Sequence, residues 1–336
     1  MKRLIFTLGG LGFAACGISR VLRSRYSFTG KVVIITGGSR GLGLAIARQL
    51  ASEGARLALF ARDEQELGRA CAQLRELGGE ALAVPCDLLE RNQLSSAVAT
   101  VLDHFGTIDV LINNAGIIEI GPLENMRRPD FEKSMQLHFW APFNLIQQIV
   151  PHLRRAGGGR IVNISSIGGK VAVPHMAPYS ASKFALVGLS DAFRNELARD
   201  AIRVTTVTPG LMRTGSQMNA KFKGNHGAEF TWFALSAALP FAAVDADRSA
   251  RLIVEACRRG QSSLIIGLSA RAGIIGNALF PSLTGEVMKL VSRLLPAPVD
   301  VEGDELKSGW EAQAEQRVPA WIVRLGDAAI SRNHEA

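Results

Sequence analysis

Lys31–Gly43, KVVIITGGSRGLG, runs directly into LAIARQLASEGA. Val32–Ile35 is a β-branched run, glycines crowd the turn after Thr36, and the following segment repeats its apolar residues at helical spacing. Strand, glycine turn and helix in that order aim unpaired backbone N–H groups and the positive end of the helix dipole at an anion such as a phosphate. Gly37, Gly41 and Gly43 let the backbone turn and approach a pyrophosphate with no Cβ in the way. Their spacing, Gly-x-x-x-Gly-x-Gly, differs from the Gly-x-Gly-x-x-Gly of the commonest dinucleotide fingerprint. The triplet alone specifies little, and the rest of the chain decides what it means.

Beyond this segment, short apolar runs alternate with longer amphipathic ones. Candidate strands lie at 31–36, 56–61, 81–86, 108–113, 160–165, 202–208 and 263–267. Candidate helices fall near 42–53, 63–78, 90–105, 130–155, 178–199 and 246–259. The alternation predicts an α/β fold, a doubly wound, Rossmann-like parallel sheet of seven strands with helices on both faces. Right-handed crossovers then leave ligands at the carboxyl ends of the strands.

A second stretch, Ser165–Lys183, SSIGGKVAVPHMAPYSASK, carries the chemistry. If the chain is helical from Pro178, Tyr179 and Lys183 share a face, and an ammonium lies beside a phenol. A phenol of pKa ~10 gives up its proton poorly at neutral pH, and a neighbouring cation moves it toward the working range. Ser166, at the end of the preceding strand, brings a hydroxyl to the same substrate oxygen. A Tyr–Lys pair four residues apart also arises on ordinary exposed helices, so the pair needs the rest of the pattern.

Taken together, these segments resemble the short-chain dehydrogenase/reductase family. Its pattern of Thr-Gly-x-x-x-Gly-x-Gly, Asn-Asn-Ala-Gly, Ser, Tyr-x-x-x-Lys and Pro-Gly is met in order by Thr36–Gly43, Asn113–Gly116, Ser166, Tyr179 with Lys183, and Pro209-Gly210. The resemblance covers about Phe28 to Gly267. It implies an oxidoreductase in which Tyr179 is the proton donor, Lys183 lowers the Tyr pKa and holds the nicotinamide ribose, and Ser166 holds the substrate oxygen. The implied cofactor site comprises Gly37, Ser39, Arg40, Gly41, Leu42 and Gly43, then Asp87 and Leu88 after the third strand, Asn113, Ala115 and Gly116 after the fourth, Tyr179 and Lys183, and Pro209, Gly210, Met212 and Thr214. Asp87 also has the bland reading of a helix cap.

Charge bears on which dinucleotide binds. Sites for NAD place an acid at the end of the second strand, whereas a 2′-phosphate wants a cation there. Here Ala61 stands at that place, Arg62 follows it, and Arg40 sits in the glycine turn. The family pattern implies NADP(H), with NAD(H) less favoured; the alternative is that both arginines are merely solvated.

One residue departs from the family. Where an Asn usually kinks the helix after the fourth strand and binds a water linked to the catalytic Lys, this chain reads Leu137-His138-Phe139-Trp140-Ala141-Pro142. The His138 imidazole can hold the same water, or be an ordinary buried histidine. Pro142 kinks the helix in either case.

The chain divides into an apolar N-terminal segment (1–27), a dinucleotide-binding catalytic domain (28–268) and a helical extension (269–336). Leu4–Ser19 is uncharged between basic flanks, which fits a membrane anchor with the catalytic domain in the cytoplasm. A cleaved signal around Cys16 and a packed or interfacial helix are the alternatives, the last in a soluble protein. Of the net charge of +8, six units come from Lys2, Arg3, Arg20, Arg23, Arg25 and Lys31, so no nucleic-acid face is expected. The four cysteines form no Cys-x-x-Cys pair and the six histidines no metal signature, which suits a reducing compartment and no metal.

The connection after Gly210 is expected to cover the substrate, and Met212, Met218, Phe222, Phe230, Trp232, Phe233 and Leu235 suggest an apolar one unless they simply pack on the fold. In the extension, Leu283, Val287, Leu290, Val291 and Leu294 form a helical stripe that covers a core or a partner subunit, or lies on a membrane. A short docking helix is expected around Trp310, Trp321, Ile322 and Leu325. The expected function is NADP(H)-dependent interconversion of a carbonyl and an alcohol on a lipid-like substrate such as a retinoid, a steroid, a long-chain ketone or 3-ketosphinganine, in a homo-oligomer. The alternative from another class is a dinucleotide-binding sensor or scaffold that has lost turnover.

Overall fold

The computed structural model describes residues 26–238, 243–315 and 332–334. Seven parallel strands form the central sheet: β1 (Val32–Thr36), β2 (Arg56–Ala61), β3 (Glu80–Pro85), β4 (Val110–Asn113), β5 (Gly159–Ile164), β6 (Ile202–Pro209) and β7 (Ser263–Ile266), in the order β7-β6-β5-β4-β1-β2-β3. They fall on the seven expected segments. The sheet is buried on both faces, as parallel sheets are. In β1, Val33 and Ile35 pack under α1 (Gly41–Ala51), α2 (Glu64–Glu76) and Ala246–Arg259, while Val32 and Ile34 pack under α3 (Arg91–Phe105) and Ala141–Arg155. The chain leaves β1 toward β2 and β3 and returns to place β4 on the other side. The carboxyl ends of β1 and β4 therefore flank the crevice where such sheets bind ligands.

The expected helix 130–155 is broken. α4 (Arg128–Met135) passes through a π turn, Gln136–Trp140, into α5 (Ala141–Arg155). Pro142 has no N–H to give the His138 carbonyl four residues earlier, so the regular ladder cannot continue through this point.

After α6 (Ala177–Glu196) and β6, the expected long connection contains α7 (His226–Ala238) before α8 (Ala246–Arg259). Lys221–Phe222 joins a three-stranded sheet, parallel to Glu119–Ile120 and antiparallel to Lys307–Ser308 from the extension. Two further helices follow β7: α9 (Leu268–Leu279) and α10 (Pro281–Leu294). No residue of α10 is buried, and Leu283, Leu290 and Leu294 are exposed, so the stripe does not cover this chain's described core. α11 (Gly309–Glu315) supplies the expected helix at Trp310 and packs on α7; Trp321, Ile322 and Leu325 lie outside the described residues, as does Leu4–Ser19. Among the described residues no helix is long and apolar enough to cross a membrane, and no cluster could hold a metal ion.

Candidate active site

The end of β5 and the start of α6 meet through Ser165, whose N–H donates to the Val207 carbonyl and whose Oγ donates to the Lys183 carbonyl at 3.1 Å. Ser166 caps the short turn Ile167–Gly169, its Oγ accepting from the Gly168 N–H at 3.1 Å. Helical spacing then sets Tyr179 and Lys183 on one face of α6. Ser166 and Tyr179 both lie against Gly168, where a Cβ would stand 3.6 Å from Ser166 Oγ and 3.1 Å from the Tyr179 ring. Lys183 Nζ lies 5.7 Å from the Tyr179 ring centre and donates to the Ile164 carbonyl at 3.0 Å. The three side chains are thus gathered as the sequence implied.

Their electrostatics differ from the expectation. Burial raises the Tyr179 phenol above its usual value, and the Ser166 hydroxyl offsets this only in part. Burial also brings the Lys183 ammonium down to about 7. Desolvation, which penalises whichever form is charged, governs both groups here in place of the expected cation effect on the phenol.

His138 is 1% exposed, and both of its ring nitrogens are engaged. Nε2 accepts from the Ile117 N–H at 3.1 Å, which leaves the proton on Nδ1, 2.7 Å from Ser182 Oγ; that hydroxyl in turn donates to the Tyr179 carbonyl at 2.9 Å. Burial and the Lys183 charge hold the imidazole well below its usual pKa, hence neutral. Of the two expectations for His138, a water-holding imidazole has no ring nitrogen left for the water, and an ordinary buried histidine agrees with these contacts. The ring ties the loop after β4 to the catalytic helix, one residue before Lys183. Gly116 permits it: a Cβ there would stand 3.0 Å from His138 Nε2.

At the glycine turn, a Cβ on Gly43 would stand 2.0 Å from the Gly37 carbonyl oxygen, so no other residue fits. α1 begins at Gly41 without a side-chain cap, leaving its first N–H groups to other acceptors. A glycine-rich turn at an uncapped helix start fits a dinucleotide pyrophosphate. Thr36 and Asn114 hold it in place. Asn114 Nδ2 donates to the Thr36 and Gly37 carbonyls at 3.0 and 3.1 Å, and Thr36 Oγ1 accepts from the Asn114 and Ala115 N–H groups.

The Asn113 side chain turns into the core: its amide donates to Asn163 Oδ1 at 2.8 Å, and Asn163 donates to Ser190 Oγ, joining β4, β5 and α6. Alternation along the strand is the signal that would have separated the two neighbouring asparagines. Asp87 caps no helix; its Oδ1 accepts from the Leu89 N–H, and Leu88 is buried.

Long-range contacts complete the crevice. Arg40 Nη1 lies 3.3 Å from Glu66 Oε1 and 3.0 Å from Asn219 Oδ1, and Ser39 Oγ donates to Glu66 Oε2 at 3.0 Å. Arg62 is exposed. From the far end of the chain, the Asn333 carbonyl accepts from the Gly41 N–H at 2.8 Å, and the Asn333 amide reaches the Thr214 carbonyl. Met212–Arg213 pairs with Val244–Asp245, and Gly210, after Pro209, bonds to the Ile266 carbonyl. Glu66 and Asn333 carried no local signal in the sequence.

The apolar lid residues mostly pack on one another. Met218, Phe222, Phe230 and Phe233 are buried with Ile120 and Met176, and the half-buried Trp232, Leu235, Ile118, Val173 and Tyr179 each pack against that cluster. The expected lid wall is therefore largely a third small core. The extension straps it down. Asp304 pairs with Arg127 at 2.6 Å and accepts from Asn125, and the Gly303 carbonyl accepts from the Gly224 N–H. The acidic stretch 300–305 thus fastens the extension to the catalytic domain.

A sequence model of the family described as short chain dehydrogenase matches residues 31–224. The chain is 35% identical over 248 residues to an oxidoreductase of Mycobacterium tuberculosis, SadH, covering 73% of this chain and 89% of that protein. It is 38% identical over 196 residues to the ketoacyl reductase HetN of Nostoc sp., covering 58% and 68%. The fold is similar to that of L-sorbose reductase from Gluconobacter frateurii, solved with NADPH and L-sorbose, with a TM-score of 0.66 and 28% identity over 73% of this chain and 97% of that one. With the site geometry and these likenesses in agreement, the chain belongs to the short-chain dehydrogenase/reductase family of oxidoreductases.

Proposed function

We propose that this protein interconverts a carbonyl and a secondary alcohol on a hydrophobic, lipid-like substrate, with NADP(H) as its cofactor. The observation that carries the proposal is the gathering of Ser166, Tyr179 and Lys183 at the carboxyl edge of the sheet. A bound nicotinamide supplies the hydride. Ser166 Oγ holds the substrate oxygen, and Tyr179 gives that oxygen its phenolic proton in the reducing direction. A phenol raised by burial keeps its proton at neutral pH, as a donor must. Lys183, brought down to about 7, exchanges protons in the working range and is the side chain placed to restore the tyrosine. His138 acts through the Ile117 N–H and Ser182, so it is a positioning residue.

Arg40 and Arg62 support NADP(H), as does the likeness to a reductase solved with NADPH. A lipid-like substrate is supported by the half-buried Ile118, Val173, Trp232 and Leu235, which pack, as Tyr179 does, against the third core, and by similarity to a relative named as a ketoacyl reductase. The apolar segment at 4–19 supports membrane association with the catalytic domain in the cytoplasm, and the exposed stripe on α10 supports a homo-oligomer. The test is absorbance at 340 nm with NADPH and with NADH across ketones and aldehydes of rising chain length. Preference for NADPH that grows with chain length supports the proposal; turnover confined to short polar substrates refutes its substrate half.

A further inference from the structure

Two groups that a 2′-phosphate needs are already held by a carboxylate. Glu66 accepts from Ser39 Oγ at 3.0 Å and pairs with Arg40 Nη1 at 3.3 Å, while Arg40 also reaches Asn219. The position of Glu66 is fixed by its own backbone: its N–H donates to Asp63 Oδ1 at 2.8 Å, the N-cap of α2, so the side chain returns toward the glycine turn from the first helical turn. Arg69 follows one helical turn along α2.

We propose that Glu66 is a specificity-determining residue that competes with the 2′-phosphate of NADP(H) for Ser39 and Arg40. A dianionic phosphate on these groups lies close to the carboxylate, and like charges at such separations repel strongly where water is partly excluded. Binding of NADP(H) therefore requires Arg40 to turn from Glu66 to the phosphate, with the carboxylate displaced. NAD(H), lacking the phosphate, leaves the Glu66 contacts intact. Glu66 thus narrows a preference that Arg40 and Arg62 alone would make wide. The inference rests on the assignment of these arginines to the 2′-phosphate.

Equilibrium binding tests it without catalysis. Calorimetric titration with 2′,5′-ADP and with 5′-AMP reads the phosphate separately from the rest of the cofactor. In Glu66→Gln, which keeps the shape and loses the charge, 2′,5′-ADP binds about tenfold tighter and 5′-AMP stays within about twofold. In the Arg40→Ala background the same change loses most of its effect, because the two residues act on one phosphate. Glu66→Ala, with thermal melting of each variant, guards against a folding artefact; the capping bond to Asp63 uses backbone and survives both changes. Unchanged or weaker binding of 2′,5′-ADP to Glu66→Gln overturns the inference, since Glu66 would then only preorient Arg40. If the wild type does not prefer 2′,5′-ADP but Glu66→Gln does, the NADP(H) assignment fails and the role of Glu66 stands.

Discussion

The two ends of the crevice are built differently. At the catalytic end, the reacting side chains come from one strand end and the helix that follows, and Ser166, Tyr179 and Lys183 lie within eighteen residues of one another. At the adenosine end, Arg40 meets Glu66 and Asn219, and Gly41 meets Asn333 from nearly the whole chain away. Helical and strand geometry specifies the first end almost by itself. The second exists only once distant segments have docked. The proposed chemistry is therefore carried by local spacing, and the contacts around the glycine turn by long-range docking.

The largest effect that would sharpen this contrast is at Tyr179. Tyr179→Phe removes the proton donor and is expected to lower turnover by roughly 10²–10⁴-fold, while cofactor affinity measured by fluorescence stays near the wild-type value. Turnover equal to the parent's would break the assignment. Gly43→Ala comes next, because its Cβ would stand 2.0 Å from the Gly37 oxygen. It is expected to cost about 1–3 kcal/mol in chemical denaturation and to abolish measurable cofactor binding.

A smaller effect belongs to the bridge between the ends. His138→Ala is expected to lower turnover about tenfold by releasing the Ile117 and Ser182 contacts, each worth about 1 kcal/mol. His138→Asn, able to accept from the Ile117 N–H, should recover part of the loss, and the pH profile should keep its shape because the neutral imidazole does not titrate in the reaction. A shifted profile would return the residue to the proton relay. The smallest change is at the far end. Removing residues 332–336 frees the Gly41 N–H and should tighten cofactor binding about twofold to tenfold, the worth of one hydrogen bond, with turnover at saturating cofactor unchanged.

The lysine makes a separate prediction about stability. Its folded pKa of about 7 lies below its ordinary value of 10.5. Between those values the unfolded chain binds the proton that the folded one has lost, so stability rises with pH across that window and the penalty is complete below about 7. The melting temperature of the cofactor-free protein should rise from pH 7 to 10, and Lys183→Met should flatten the rise. The phenol acts oppositely and higher, its raised pKa costing stability above about pH 10.

The seven strands were legible because each is an apolar run with turn residues on both sides, and burial on both faces of a parallel sheet leaves that mark in composition. The grouping of Ser166, Tyr179 and Lys183 was legible because a fixed helical spacing can be read without knowing what surrounds it. α7 was not, since its apolar residues follow no clean period and pack into a core shared with Ile120 and Met176 from distant segments. The inward turn of the Asn113 side chain was not legible for a similar reason: which of two adjacent asparagines faces the core depends on where the strand ends.

By itself, then, the sequence determined the doubly wound sheet, the glycine turn, the family and the grouping of Ser166, Tyr179 and Lys183, all of which follow from short-range backbone geometry. Only the tertiary structure decided that desolvation governs Tyr179 and Lys183, that His138 is a tether, that the lid's apolar residues face one another, and that Glu66 and Asn333 stand at the cofactor turn. Burial and distant neighbours set these properties, and a linear sequence carries no distance between residues that folding has yet to bring together.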